Sequence, residues 1–291
     1  MDGQLIGWED SKIHVLAHVA HYGSAVFEGI RFYETSKTPA VFRLKEHIER
    51  LYYSAKAIKL KINFSPQEVI EAVCETIRSN DIKSGYIRPL AFYGYGKMGL
   101  NPLGAKQHLC IAVWPWGAYL GKDAVKVKIS KYKRLHPESV VSDAKVSGYY
   151  VNSILASQDA HESGYDEALL LDYKGNIAEG PGENIFLVSN GELFTVAKGS
   201  ILPGITRATV MQIAKDQNLK CSEKVLTVED VKTADELFFT GTAAEIQPIS
   251  QIDDTVINGG QVGPITQRIK DTYLDAVHGK SPEYEHWLTF V

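Results

Sequence analysis

SDAKVSGYY, residues 142–150, sets one lysine among small and polar side chains and follows it with two tyrosines. Most lysines in a chain of this composition are solvated surface charges. Here Ala144, Ser147 and Gly148 leave space beside Lys145, and the segment reads as a lysine with room for a ligand. Downstream, YYVNSILASQDAHESG (149–164) predicts a helix stopped at Gly164. Upstream, AVKVKIS (124–130) alternates with period two, the pattern of a half-buried strand. What the lysine does depends on what the rest of the chain brings to it.

Further out, RLKEHIERLYYSAKAIKL (43–60) places Leu44, Ile48, Leu51, Ala55 and Ile58 on one helical face. SPQEVIEAVCETIRSN (65–80) opens with Ser65 as cap, Pro66 at the first helical position and Glu68 completing a capping box. Strands are predicted at 85–94 and 106–116, at EALLLD (167–172) and at ADELFFTG (234–241). NIFLVSNGELFTV (184–196) predicts two strands around an Asn190-Gly191 turn. Helices are predicted at 206–219 and 263–279. PWGAYLGKD (115–123), with its Pro and glycines, reads as a linker. The expectation is an α/β chain of the α+β type, with two mixed α/β domains: a small one at 1–114 and a larger one, carrying Lys145, at 124–291. Strands clustered in hairpins argue against a doubly wound parallel sheet.

The chain has 291 residues, 44% hydrophobic and 23% charged, with a net charge of −4. That balance gives no nucleic-acid footprint, which needs a clustered basic surface. KISKYKR (128–134) alternates with apolar residues and reads as the outer face of a strand. The start, MDGQLIGWED, has no basic stretch followed by an apolar one, so no secretory signal is expected. No apolar run is long enough to span a bilayer. Cys74, Cys110 and Cys221 are too scattered for a disulfide framework or a metal spacing. A cytoplasmic protein with inert thiols is expected.

Several motifs compete for the chemistry. GYGKMG (94–99) matches GxGxxG, but loop-like LNPLG follows where a dinucleotide site needs a helix. HVLAHVAH (14–21) spaces His14, His18 and His21 as a helix would, which suits zinc. An extended strand would scatter them, no carboxylate lies nearby, and packed histidines with no metal are the expectation. ILPGITRATV (201–210) turns at Pro203-Gly204 and starts a helix near Thr206, offering free N–H donors to an anion, or only an ordinary capped helix. FFTGTAAE (238–245) is either a second backbone nest or a simple strand-to-helix turn. IAEGPGEN (177–184) carries Glu179 and Glu183. These are an acid/base pair, partners of cations, or solvated loop carboxylates.

Together these residues match the needs of pyridoxal 5'-phosphate. Its aldehyde condenses with a lysine amine, its phosphate wants a helix start and a cation, and its ring nitrogen wants an acid. The chain resembles the branched-chain-amino-acid aminotransferases, L-specific members of the fold-type IV pyridoxal-phosphate enzymes. The resemblance runs through HYGSAVFEGIR (21–31), EHIERL (46–51), YIRPL (86–90), WPWGAYLG (114–121), AKVSGYYVNS (144–153), AEGPGENIF (178–186), LPGITR (202–207) and GTAAEI (241–246). It implies the D-amino-acid aminotransferase-like architecture. It implies that Lys145 carries the cofactor as a Schiff base and moves the substrate proton. Tyr150 would bond the phenolic oxygen, Glu179 would pair with the ring nitrogen, and Arg50, Ile205, Thr206 and Thr242 would hold the phosphate. Glu183 and Asn184 would support the loop.

For substrate, the resemblance implies carboxylate binding at Thr242-Ala243 with Tyr86. It implies a side-chain pocket of Phe27, Gly29, Trp116 and Tyr119, and Arg88 for the γ-carboxylate of glutamate. Tyr22 and Leu100 would reach in from a neighbouring subunit, implying a homodimer. The sequence departs from the common bacterial form at Tyr149, where asparagine is usual. The expected reaction moves the amino group of L-leucine, L-isoleucine or L-valine to 2-oxoglutarate in ping-pong fashion. Alternatives are another fold-type IV reaction (D-amino-acid or R-amine transamination, or aminodeoxychorismate lysis) and a non-catalytic binding protein built on the histidine segment.

Overall fold

The computed structural model describes residues 1–117 and 119–291. The linker expected at 115–123 includes Ala118, which lies outside the described residues. The described residues form two compact units. The first holds 1–117 together with 144–149 and 277–291; the second holds the remaining described residues up to Ala276. The two later segments of the first unit fall within the stretch that the sequence division assigns to the larger domain. Specific contacts bring them there. Val146 bridges Val26, and the Gly148 N–H donates to the Gly23 carbonyl at 3.1 Å. Leu288–Phe290 pairs antiparallel with Ala40–Phe42.

The first unit is built on a six-stranded antiparallel sheet. Its axis is the strand Gly85–Tyr93, paired along its length with Gln107–Trp114. Two short strands share its other edge: Ala25–Phe27 opposite Leu90–Phe92, and Ile30–Tyr33, whose first three residues lie opposite Gly85–Ile87. Glu28 and Gly29 fall in the break between them. The helices Leu44–Ala57 and Pro66–Arg78 bury Leu44, Ile48, Leu51, Val69, Val73 and Ile77 in one core with Val26, Ile30, Phe32 and Ile87. The Ser65–Glu68 capping box forms as expected.

The second unit carries an eight-stranded mixed sheet. Val125–Lys133 runs parallel to Glu167–Leu171 and to Glu245–Ile252. Beyond the latter, Glu236–Gly241, Asn184–Ser189 and Glu192–Val196 follow antiparallel. Asn190 and Gly191 turn the expected hairpin with φ of 51° and 75°, the left-handed pair that a two-residue turn requires. Thr242–Ala244 turns between antiparallel strands, so the strand-to-helix reading of FFTGTAAE does not hold. The helix after Lys145 spans Tyr150–Glu162, preceded by a 3-10 turn over Ser147–Tyr149. Among the described residues, no helix is long and apolar enough to cross a membrane.

Candidate active site

The functional residues expected from the sequence fall in both units. In the first unit, Lys145 is pinned through its backbone. Its N–H donates to Ser54 Oγ at 2.9 Å, and its carbonyl accepts from the Phe27 N–H at 3.2 Å. Its side chain reaches over the Phe27 ring, with Nζ 4.8 Å from the centroid. Arg50 makes a bidentate pair with Glu28, at 2.7 Å from Nε and 2.8 Å from Nη2. His47 Nδ1 lies 2.8 Å from the same carboxylate. Glu28 and His47 are fully enclosed, at 0% and 1% exposed. Burial by itself would raise the Glu28 pKa, but the adjacent Arg50 charge outweighs it and holds the carboxyl far below its usual range. Burial lowers the pKa of His47, against the hydrogen bond to Glu28.

An aromatic wall stands in the same unit. The Arg88 guanidinium lies 4.8 Å from the Phe27 ring, 5.5 Å from Tyr86 and 6.0 Å from Trp114. Tyr86 packs on Trp116 at 4.4 Å between centroids. Gly29 is required here by close approach: a Cβ would lie 1.9 Å from the Tyr86 hydroxyl. Arg88 Nε is buried and has no hydrogen-bond partner among the described residues. Phe27, Gly29, Tyr86, Arg88 and Trp116 are thus brought together. Trp114, which the sequence reading did not single out, completes the wall.

In the second unit, Glu179 is 5% exposed. One carboxylate oxygen accepts from Arg134 Nε; the other accepts from Asn184 Nδ2 at 3.1 Å and from the Leu202 N–H at 3.0 Å. Burial works against the Arg134 charge, yet the neighbouring Glu179 carries its pKa above the ordinary value. Asn184 also donates to the Leu202 carbonyl at 2.9 Å, and its amide oxygen lies where a Cβ on Gly204 would fall, 2.0 Å away. Gly204 caps the helix Ile205–Asp216 with no side-chain hydrogen bond. The acid loop and the helix start are therefore one interlocked piece, with Thr206 3% exposed in the first turn. Glu183 accepts from the Gly182 N–H at 3.0 Å. Tyr150 opens its helix within electrostatic reach of Arg134. Thr242 and Ala243 form the turn after Gly241, and Tyr119 is 43% exposed.

The histidine segment is helical only from His18 to Tyr22. His18 lies between Ser24 Oγ at 2.7 Å and the Gly99 carbonyl at 2.9 Å, and His21 Nε2 is 2.9 Å from the Val15 carbonyl. His14 Nδ1 accepts from the Leu16 N–H at 3.0 Å. Tyr22 and Leu100 are 41% and 85% exposed. Arg134 was the main residue missed. It directly follows the strand Val125–Lys133, whose alternation reads as solvent-facing, and only the fold turns it onto Glu179.

Residues 25–252 match the amino-transferase class IV family. A branched-chain-amino-acid aminotransferase of Pseudomonas aeruginosa is 44% identical over 294 residues, covering 100% of this chain and 96% of its own. The T.th. branched-chain amino acid aminotransferase, solved with pyridoxamine 5'-phosphate, matches at a TM-score of 0.95 and 46% identity, covering 98% of this chain and 95% of that one. The same enzyme complexed with N-(5'-phosphopyridoxyl)-L-glutamate gives the same figures. The chain belongs to the class IV amino-transferases, and within them to the branched-chain-amino-acid aminotransferases. Its architecture is accordingly fold-type IV, as the resemblance implied.

Proposed function

We propose that this chain transfers the amino group of L-leucine, L-isoleucine or L-valine to 2-oxoglutarate, yielding a 2-oxo acid and L-glutamate, with pyridoxal 5'-phosphate as cofactor. Bound there, the cofactor supplies an electron sink for the carbanion formed at the substrate α-carbon. One observation carries the reading: the buried Glu179 carboxylate, backed by Arg134, is tied through Asn184 to a helix start that no side chain caps. An acid for a ring nitrogen and N–H donors for a phosphate are what this cofactor requires, so the residues fit it. The solved complexes of the T.th. enzyme with pyridoxamine 5'-phosphate and with a phosphopyridoxyl-glutamate support it.

The residue roles form part of the proposal. Lys145 Nζ anchors the cofactor and is the base that takes the substrate proton and returns it. Glu179 holds the ring-nitrogen proton. Tyr150 donates to the phenolic oxygen. Arg50, Ile205, Thr206 and Thr242 hold the phosphate. Thr242, Ala243 and Tyr86 take the substrate carboxylate. Phe27, Gly29, Trp116 and Tyr119 exclude water around the side chain, and Arg88 receives the γ-carboxylate of glutamate. The protein works as a cytoplasmic homodimer in which Tyr22 and Leu100 serve the neighbouring subunit's pocket.

Absorption spectroscopy of the purified protein tests this directly. A visible band of bound cofactor should bleach with L-leucine and persist with D-alanine; bleaching only with D-alanine would overturn the substrate class. Lys145→Ala should abolish turnover. Ordinary activity in that variant would end the assignment of the lysine.

A further inference from the structure

Glu28 is a carboxylate with no exposed surface, set where the sheet of the first unit is interrupted. Its own N–H donates to the Pro89 carbonyl at 2.9 Å, which fixes the backbone at the break. Its chain neighbours are Phe27, beneath the Lys145 amine, and Gly29, against the Tyr86 hydroxyl. Its carboxylate meets the helix Leu44–Ala57. There it takes both hydrogen bonds of the Arg50 fork, and His47 touches one of the same oxygens. His47, Arg50 and Ser54 are three and four residues apart, so one helix face serves both this carboxylate and the Lys145 backbone.

Stability alone does not require a charged cluster here. A buried ion pair is commonly no better than well-packed apolar residues of the same volume. What such a pair does supply is a single orientation of the guanidinium plane, because a bidentate fork allows only one.

We propose that Glu28, braced by His47, is a positioning residue that locks Arg50 in the orientation the cofactor phosphate meets. The proposal rests on the assignment of Arg50 to that phosphate. It implies that the strand break forming part of the substrate wall also sets the phosphate grip, through one side chain.

The test compares pyridoxal 5'-phosphate with pyridoxal, which lacks the phosphate, each titrated into the full-length chain freed of cofactor. The ratio of the two affinities reports the phosphate contact, whereas a general loss of structure weakens both ligands alike. Glu28→Gln should shrink that ratio about tenfold or more, the scale of a misaligned charge-assisted contact. Glu28→Asp keeps the charge but withdraws it by one methylene. It should shrink the ratio less, and it carries the test should Glu28→Gln fail to fold. Arg50→Ala should collapse the ratio. An unchanged ratio in the Glu28 variants, with collapse in Arg50→Ala, would overturn the positioning role and leave Arg50 at the phosphate. An unchanged ratio in Arg50→Ala would remove the Arg50 assignment and the proposal with it.

Discussion

At the scale of single residues, the site depends on close approaches that one methyl group would disturb. Gly29→Ala would drive a Cβ into the Tyr86 hydroxyl, and the ring is already packed against Trp114 and Trp116. Tyr86 must shift, and a displacement of about 1 Å in a positioning group costs on the order of 100-fold in rate. Steady-state kinetics should show kcat/KM for L-leucine down by about that factor with the fold retained; an unchanged value would take Tyr86 out of the pocket. Lys145 stands out in the chain because it sits among small residues, where a long charged side chain has no packing task, whereas Glu179 is left open by its glycine-rich loop and takes a role only from the family resemblance. Arg134, Glu28 and His47 do not stand out. Arg134 sits just past the end of an alternating strand, and Glu28 and His47 gain meaning only from a pairing across 19 residues. Sequence spacing does not report such a contact.

At the scale of elements, legibility follows length and local chemistry. The helices Leu44–Ala57 and Pro66–Arg78 announce themselves through apolar periodicity and, for the second, a capping box that the structure contains. Strands such as Ala25–Phe27, Ala40–Phe42 and Thr255–Val256 are two or three residues long, too short for alternation to register. Their partners define them. Two element-level outcomes are expected. Ser65→Ala removes the cap on the Glu68 N–H and should cost about 1 kcal/mol in denaturant unfolding, with kcat unchanged. Gly204→Ala should behave in the opposite way. Its Cβ would push Asn184 from the start of the Ile205 helix, so equilibrium titration should show pyridoxal 5'-phosphate binding weakened by about tenfold or more. Unaltered binding would separate that helix start from the phosphate.

At the scale of the whole molecule, stability against acid follows from the buried cluster. The Glu28 pKa is lower folded than unfolded, so its stabilisation is complete above the unfolded value, ~4, and drains away as the pH falls below it. His47 is also lowered by burial and acts in the same direction from ~6.5 downward. Urea unfolding across this range should therefore show two losses of stability on acidification. Glu28→Gln should reduce the lower one and keep the upper, leaving the smaller share of carboxylates such as Asp159, Asp166 and Asp230, which their partners also hold below the ordinary range; an undiminished lower loss would place its origin in those carboxylates.

The strand Leu288–Phe290, outermost in the first sheet, leaves the ribosome long after the strand it pairs with. Domains ordinarily fold in the order in which they are synthesised. Here the strand Ala40–Phe42, paired on one side with Ile30–Tyr33, must wait for its second partner roughly 250 residues later, while every segment of the second unit has already emerged. The first unit is thus completed after the second. Until then it carries an open β-edge, the kind of surface that joins one nascent chain to another, so the crowding of ribosomes on a message bears on how much of this protein matures correctly.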